Sequence, residues 1–386
     1  MRNPWLVFGV IVLCCGVSSL SAGEPLKIAV FAADVTPPIG SPVAYAPTRS
    51  IVDPLSAKGV VLLGKDAPIV LCAVDWIGIG NGGHDTWRER LATAAGTTAD
   101  RVAVQTLHQH DAPDCDFSAS ELLTENGVSG RRYDDAFARE ALNRTAEAIE
   151  TALKATTPVT HLGIGVAEVE MVASNRRILG PDGKVALIRF SSCRNAEAIA
   201  APEGTIDPKL RLVSFWNADE PVAVLTYYAC HPQSYYGKGD VTCDFVGLAR
   251  NAREKEAKIP HVHFNGAGGN LAAGKYNDGS PEMRPVLAER LADGMRRAWE
   301  QTVKTPITAD DLRWNIERVS LPVAPHLTAA SLQQKLADES AEPGERAASA
   351  RKLAFVTRIE AGVKTDIACL HLMRITGDCS GRSICM

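Results

Sequence analysis

Val102-Ala103-Val104-Gln105-Thr106-Leu107-His108-Gln109-His110-Asp111-Ala112-Pro113-Asp114 is the stretch around which the chain is organised. An apolar, β-branched run from Val102 leads into two histidines one residue apart. A Pro/Asp turn then ends the run, which predicts a strand with the pair at its carboxyl end. Side chains alternate along a strand, so His108 and His110 are expected on one face with Cα atoms roughly 6.6 Å apart, near enough for both imidazoles to converge on one metal ion. Gln109 then points the other way. A buried strand gains nothing from two adjacent hydrogen-bonding rings unless their nitrogens are satisfied. A solvated strand end reads the same way, and other histidines have to decide between the two.

The composition is that of an ordinary globular chain: 386 residues, 46% hydrophobic, 22% charged, formal net charge −4. It allows one large domain or two smaller ones. With that charge and no Lys/Arg-rich stripe, nucleic acid is not an expected partner. Met1-Arg2, an apolar stretch from Trp5 to Val17 and then Ser18-Ser19-Leu20-Ser21-Ala22-Gly23 have the three regions of a secretory signal. Residues 1–22 are therefore expected to be a signal peptide, leaving a secreted or periplasmic protein with no transmembrane segment; the alternative is an uncleaved anchor. Of ten cysteines, Cys14 and Cys15 leave with the signal. No Cys-x-x-Cys pair occurs among the other eight, which read as small buried hydrophobes, with Cys115 and Cys230 also open as soft zinc ligands because they adjoin histidines.

In chain order, strands are predicted at Leu26–Phe31, Lys58–Gly64 and Ile69–Trp76, the last two as a hairpin covered on both faces. A helix opens at His84, and the first long helix spans Tyr133–Lys154 with Phe137, Ala141 and Ile149 on one stripe. A second β-rich block follows at 162–167, 185–190, 210–216 and 222–228. Phe245–Lys258 and Met283–Lys304 read as helices flanking a short strand, His261–Phe264. The chain closes on strand-like Thr365–Leu372. No internal repeat is visible in the sequence. The expected class is mixed α/β, a large mixed sheet with helices on both faces, with a catalytic domain over 23–310 and, over 311–386, a helical segment, a last strand and an atypical tail.

His231 also ends an apolar strand and is stopped by Pro232. Three histidines at strand ends make the donor set of a catalytic zinc site with an open position, in which bound water loses its proton near neutral pH. Asp111, Asp114, Asp116, Asp240 and Asp244 lie close in sequence, as carboxylates that orient the rings or as turn formers. Asn265-Gly266-Ala267-Gly268-Gly269-Asn270 suits close backbone approach to a substrate, or is a plain strand-to-helix turn. His261 and His263 repeat the His-x-His pattern and either hold a second metal or line the sheet.

Four of these segments resemble the neutral/alkaline non-lysosomal ceramidase family in content and order: Ala33-Asp34-Val35-Thr36-Pro37-Pro38-Ile39-Gly40, the run ending in His108-Gln109-His110, Tyr228-Ala229-Cys230-His231-Pro232-Gln233-Ser234, and the glycine loop. The resemblance covers most of residues 25–305. It implies an exported zinc (Zn2+) amidohydrolase acting on an N-acyl, lipid-like substrate in sphingolipid metabolism. His108, His110 and His231 correspond to zinc-binding histidines, and the loop through Gly269 and Asn270 to the family's catalytic Gly-Asp-x-Ser loop. The chain departs from that pattern in several places. Ala272 stands where the loop's serine is expected, the family's further glutamate and tyrosine ligands are not located, and there is no room for its immunoglobulin-like domain. The tail from Met373 abandons the strand pattern and reads as a truncated or frameshifted end. The resemblance therefore also allows a catalytically impaired zinc-holding or ligand-binding domain. Asn81-Gly82-Gly83-His84-Asp85 suggests a third reading, a two-metal phosphoesterase, whose other motifs are missing.

Overall fold

A computed structural model describes residues 24–128, 130, 132–372 and 383–385. The signal-like segment and nearly all of the tail after Leu372 lie outside the described residues. Strands β1 (Leu26–Asp34), β2 (Ser56–Leu63), β3 (Ile69–Val74), β4 (Val102–Thr106) and β5 (Thr157–Val159) form one sheet, in the order β4-β3-β2-β1-β5. Strands β6 (His161–Glu168), β7 (Lys209–Asn217), β8 (Glu220–Tyr228), β9 (His261–Asn265) and β10 (Val303–Pro306) form a second, in the order β9-β8-β7-β6-β10. The longer helices are α1 (Asn81–Ala95), α2 (Phe117–Glu125), α3 (Asp135–Ala152), α4 (Asp244–Ala257), α5 (Met283–Glu300), α6 (Ala329–Ala337) and α7 (Pro343–Glu360). The class is mixed α/β with helices on both sides of the β core, and that core is two sheets rather than one.

The two sheets are built by the same route. In each, three antiparallel strands are followed by a helix and a fourth strand parallel to the third: β4 beside β3 across α1, and β9 beside β8 across α4. Parallel neighbours need such a crossover, because a hairpin returns the chain antiparallel. A further helix, α3 or α5, then delivers an edge strand antiparallel to the first, β5 beside β1 and β10 beside β6. This repeat is topological. It leaves no trace in the sequence because the hydrophobic pattern and connection lengths that specify it tolerate many different side chains.

Every residue of β3 is buried, as expected of an apolar run covered on both faces. Val70, Cys72 and Val74 pack on Trp87 and Leu91 of α1 and Phe137 and Ala141 of α3. The alternate set, Ile69, Leu71 and Ala73, shares a core with Leu212, Val224 and Phe264 of the second sheet and Leu287, Leu291 and Met295 of α5. Each Val, Leu, Ile, Phe or Met side chain among them contributes about 1.5–3 kcal/mol on full burial. Helix α5 lies so close to β6 that a Cβ on Gly165 would come within 1.9 Å of the Ala298 carbonyl oxygen, so only glycine fits there. Helices α6 and α7 build a third cluster with α2, in which Leu332, Leu336 and Leu353 meet Ala119 and Leu123. No helix among the described residues is long and apolar enough to cross a membrane.

Candidate metal centre

The carboxyl ends of the two parallel pairs meet, because Gln105 on β4 donates through its amide to the Asn265 carbonyl at the end of β9, 2.9 Å. Strand β4 stops at Thr106, two residues before the first histidine. The expectation that a strand pleat aligns His108 and His110 is therefore corrected. The His108 backbone nitrogen bonds the Trp76 carbonyl, and His108 itself has φ +72°. A non-glycine residue there carries strain of order 1–3 kcal/mol. The left-handed turn brings the two rings to 4.9 Å, at an interplanar angle of 87°. His231, three residues past β8, has its backbone nitrogen on Leu271 O at 2.8 Å and bridges to Ala272. Its ring lies 4.7 Å from that of His108 and 4.9 Å from that of His110.

One nitrogen of each ring lies within 4.8 Å of the other two, and among the described residues this is the one cluster of His, Cys or carboxylate groups with metal-binding geometry. The outer nitrogens have partners. His108 Nδ1 donates to the Ile77 carbonyl at 2.6 Å, which leaves Nε2 with its lone pair. His110 Nδ1 meets Tyr45 Oη at 2.7 Å and the Gln233 amide nitrogen at 3.0 Å, while the Gln233 oxygen accepts from Ser191. The Gly268 backbone bonds the His231 ring. Burial, then the other two rings and Arg176, push His110 down to about 2. Burial, then His108 and Arg176, push His231 down to about 4, and burial lowers His108. All three are neutral at neutral pH, the state in which imidazole binds metal.

His110 Nε2 and His231 Nε2 face each other at 2.8 Å. With Nδ1 accepting from the Gln233 amide, neutral His110 carries its proton on Nε2 and donates it to His231 Nε2; a cation at this point takes that proton's place, and the His110 proton then sits on Nδ1 toward Tyr45 Oη. With three neutral imidazoles, each oriented from behind, the donor set fits a borderline cation such as zinc.

The aspartates expected to orient the rings do other work. Asp111 accepts from Gly237 N, Asp114 pairs with Arg132, Asp116 caps α2, Asp240 pairs with Arg49, and Asp244 accepts from Ser234 N. Carbonyls, a phenol and an amide take the orienting role instead, groups that carry no sequence signature. Cys115 and Cys230 are buried thiols outside the cluster, with their acidity suppressed by burial.

The glycine loop adjoins His231: a Cβ on Gly268 would lie 3.3 Å from the His231 nitrogen. Gly269 O accepts from Arg176 at 3.3 Å. The Asn270 side chain is engaged at both ends, donating to Asn175 and accepting from Arg177. Ala272 is fully buried beside His231, its carbonyl taken by the Ser174 hydroxyl.

Sequence reasoning missed three contributors. Tyr45 stacks on His110, and Tyr236 lies 5.1 Å from both, so the two phenols form a rim. Arg176 perturbs all three histidines; its guanidinium donates to Gly269 O and Ser191 Oγ, at 3.3 and 3.4 Å, and lies 5.9 Å from the centre of the Phe190 ring, with no carboxylate partner among the described residues. Asn175-Arg176-Arg177 carries no pattern, so only its packing against the loop reveals it.

No known family's sequence profile matches this chain, and a search of characterised proteins finds no match. Solved structures do. One described as a ceramidase complexed with C2 matches 79% of this chain and 48% of its own, with TM-score 0.59 and 18% identity. The neutral ceramidase from Pseudomonas aeruginosa matches 91% of this chain and 61% of its own, with TM-score 0.63 and 16% identity. The chain thus spans about half to three fifths of the length of these neighbours. At such identities the likeness is one of architecture, and it shows that this chain has a ceramidase-like fold.

Proposed function

We propose that this chain is an exported, zinc-dependent hydrolase that cleaves an N-acyl amide of a lipid-like molecule. The observation that carries the reading is the convergence of His108, His110 and His231, neutral and oriented, on one point of a ceramidase-like fold. The signal-like first residues support export, and the resemblance of the four sequence segments supports the amide.

Zinc held there would act as a Lewis acid and bring the pKa of water to about 7. The chain's own groups do the rest. Ile77 O, Tyr45 Oη and the Gly268 backbone hold the rings, so the donors need no rearrangement. Arg176, with no carboxylate partner among the described residues, would offer positive charge near the histidines to an amide oxygen that becomes negative during attack. In the net reaction a water oxygen bonds the carbonyl carbon, the C–N bond breaks, and the amine leaves with a proton.

A second reading rests on Ala272. A buried methyl group stands beside His231 where the resemblance expects a hydroxyl, which favours a domain that holds metal and ligand but cleaves amides weakly. Metal analysis of the purified chain, with an assay of N-acylsphingosine and simpler N-acyl amides before and after chelation, separates the two. One equivalent of zinc and chelator-sensitive hydrolysis are expected. Stoichiometric zinc without turnover leaves the second reading, and absence of metal binding overturns both.

A further inference from the structure

A cavity of about 680 Å³ is lined in part by Tyr45, the hydrogen-bond partner of His110. That is a usual size for a small-molecule pocket, about 300–1,000 Å³. Val43, Leu123, Val128 and Ala347 give it apolar walls, α7 supplying the last of these. Its charged lining has one sign: among the described residues Arg132, Arg351 and Lys352 line it, and no carboxylate does.

The nearest compensating charges stand behind the cations. Asp114, whose side chain is 1% exposed, is shared by Arg132 at 2.6 Å and Arg351 at 3.4 Å. Asp116 faces Arg351 from the start of α2, but its oxygens are spent on Ala119 N and Asn81. One buried carboxylate for two guanidiniums leaves the outer face of Arg351, 46% exposed, unmatched. Lys352 makes no ion pair among the described residues. Between the cavity and the histidines, Tyr45 lies within electrostatic reach of Arg132 and Arg176 and also of the Asp111 carboxylate, whose oxygens accept from the Gly237 backbone. An amphiphile lying in this cavity meets Arg132, Arg351 and Lys352. A neutral head group leaves them solvated and contributes little, whereas an acidic one gains charge-assisted hydrogen bonds.

We propose that this cavity selects an anionic amphiphile: an N-acyl compound with an apolar chain and a carboxylate or similar acidic group near the scissile amide, read by Arg351 and Lys352 on α7. This rests on the amidohydrolase reading for the bond cleaved, but the selection for an anion stands on the cavity alone.

The test uses the full metal-loaded chain and two pairs of probes. N-dodecanoylglycine and N-dodecanoylethanolamine differ in the charge of the amine side. kcat/KM should favour the glycine conjugate about tenfold or more, through KM, with the ratio falling as salt is raised. Arg351→Gln and, because it is exposed and makes no ion pair among the described residues, Lys352→Gln should each lower that ratio several-fold. Dodecanoate and dodecanol, titrated by calorimetry, report the same selection without chemistry. Tighter binding of dodecanoate, lost in Lys352→Gln, supports the proposal even if neither amide is cleaved, in which case the amidohydrolase reading fails alone. Equal kcat/KM for both amides together with equal binding of acid and alcohol, or ratios unchanged in both variants, overturns the proposal.

Discussion

His108 and His110 follow β4, whereas His261 and His263 lie within β9, the strand in the equivalent place of the second sheet. The two His-x-His segments are identical in spacing and differ in outcome. Within β9 both rings are buried and separately engaged, His261 Nδ1 donating to Ile259 O at 2.7 Å and His263 Nδ1 bonded to Thr226 Oγ at 2.9 Å. Beyond β4 the left-handed turn at His108 folds the pair together and aims it at His231. Alternation along a strand puts two rings on one face; a change of backbone direction is what closes them onto a common point.

The largest effect that would break this contrast is on metal content. His231→Ala should lower zinc affinity by roughly a hundredfold or more, since it removes a ligand outright. His261→Ala should leave the stoichiometry at that of the parent, by elemental analysis of the dialysed proteins. Loss of zinc in the His261 variant instead would make the second pair a ligand set.

Next in size is the support beneath the first pair. Gln109, between the two histidines, donates to Asp75 Oδ1 at 3.1 Å, and Asp75 forms a buried two-pronged ion pair with Arg250 at 2.8 and 2.9 Å. Burial alone would raise the Asp75 pKa, but Arg250 and Ser56 hold it below its ordinary value. Its stabilisation is therefore present above the unfolded carboxylate pKa and is lost as pH falls through the lower folded value. Asp75→Asn leaves Arg250 buried without its anion and should cost about 3–5 kcal/mol in urea unfolding at pH 7. A loss under about 1 kcal/mol would mean that the pair is replaceable and does not anchor the histidine turn.

The second pair makes a pH prediction. Burial drives His263 down to about 3, so the folded state holds it neutral while the unfolded chain protonates near pH 6.5. Stability from this residue is complete above pH 6.5 and falls as pH drops toward 3, by up to about 1.4 kcal/mol per pH unit. His263→Asn should flatten the slope of unfolding free energy between pH 6 and 4.5 by about one proton. An unchanged slope would assign the acid sensitivity to other groups.

The smallest effect concerns orientation. Tyr45→Phe removes the 2.7 Å partner of His110 Nδ1 and should weaken zinc binding about tenfold with little change in stability. Unaltered affinity would mean that the Tyr45 hydroxyl does not orient the ring.

Much of this was legible in the residues. The apolar runs at Ile69–Trp76 and 222–228 fall in the strands Ile69–Val74 and Glu220–Tyr228, the stripe Leu287, Leu291, Met295 is a buried helix face, and the three chemistry-bearing histidines were singled out by their position after apolar runs. The division into two sheets was not, because a run buried on both faces reads the same whether its second cover is a helix or another sheet. Nor were the orienting groups: Ile77, Tyr45 and Gly268 lie 31, 65 and 37 residues from the histidines they hold, and backbone carbonyls look alike at every position.

By itself the sequence determined the periodicities, and through them the elements and the mixed α/β class, because a period of two or of 3.6 is a local property of neighbouring side chains. It also determined which histidines are available to a metal. Only the tertiary structure decided which His-x-His pair converges, that Arg176 stands near it without a counter-ion among the described residues, and that the cavity lined by Tyr45 also takes cations of helix α7. Those outcomes depend on backbone direction and on distances between residues far apart in the chain, which no local pattern encodes.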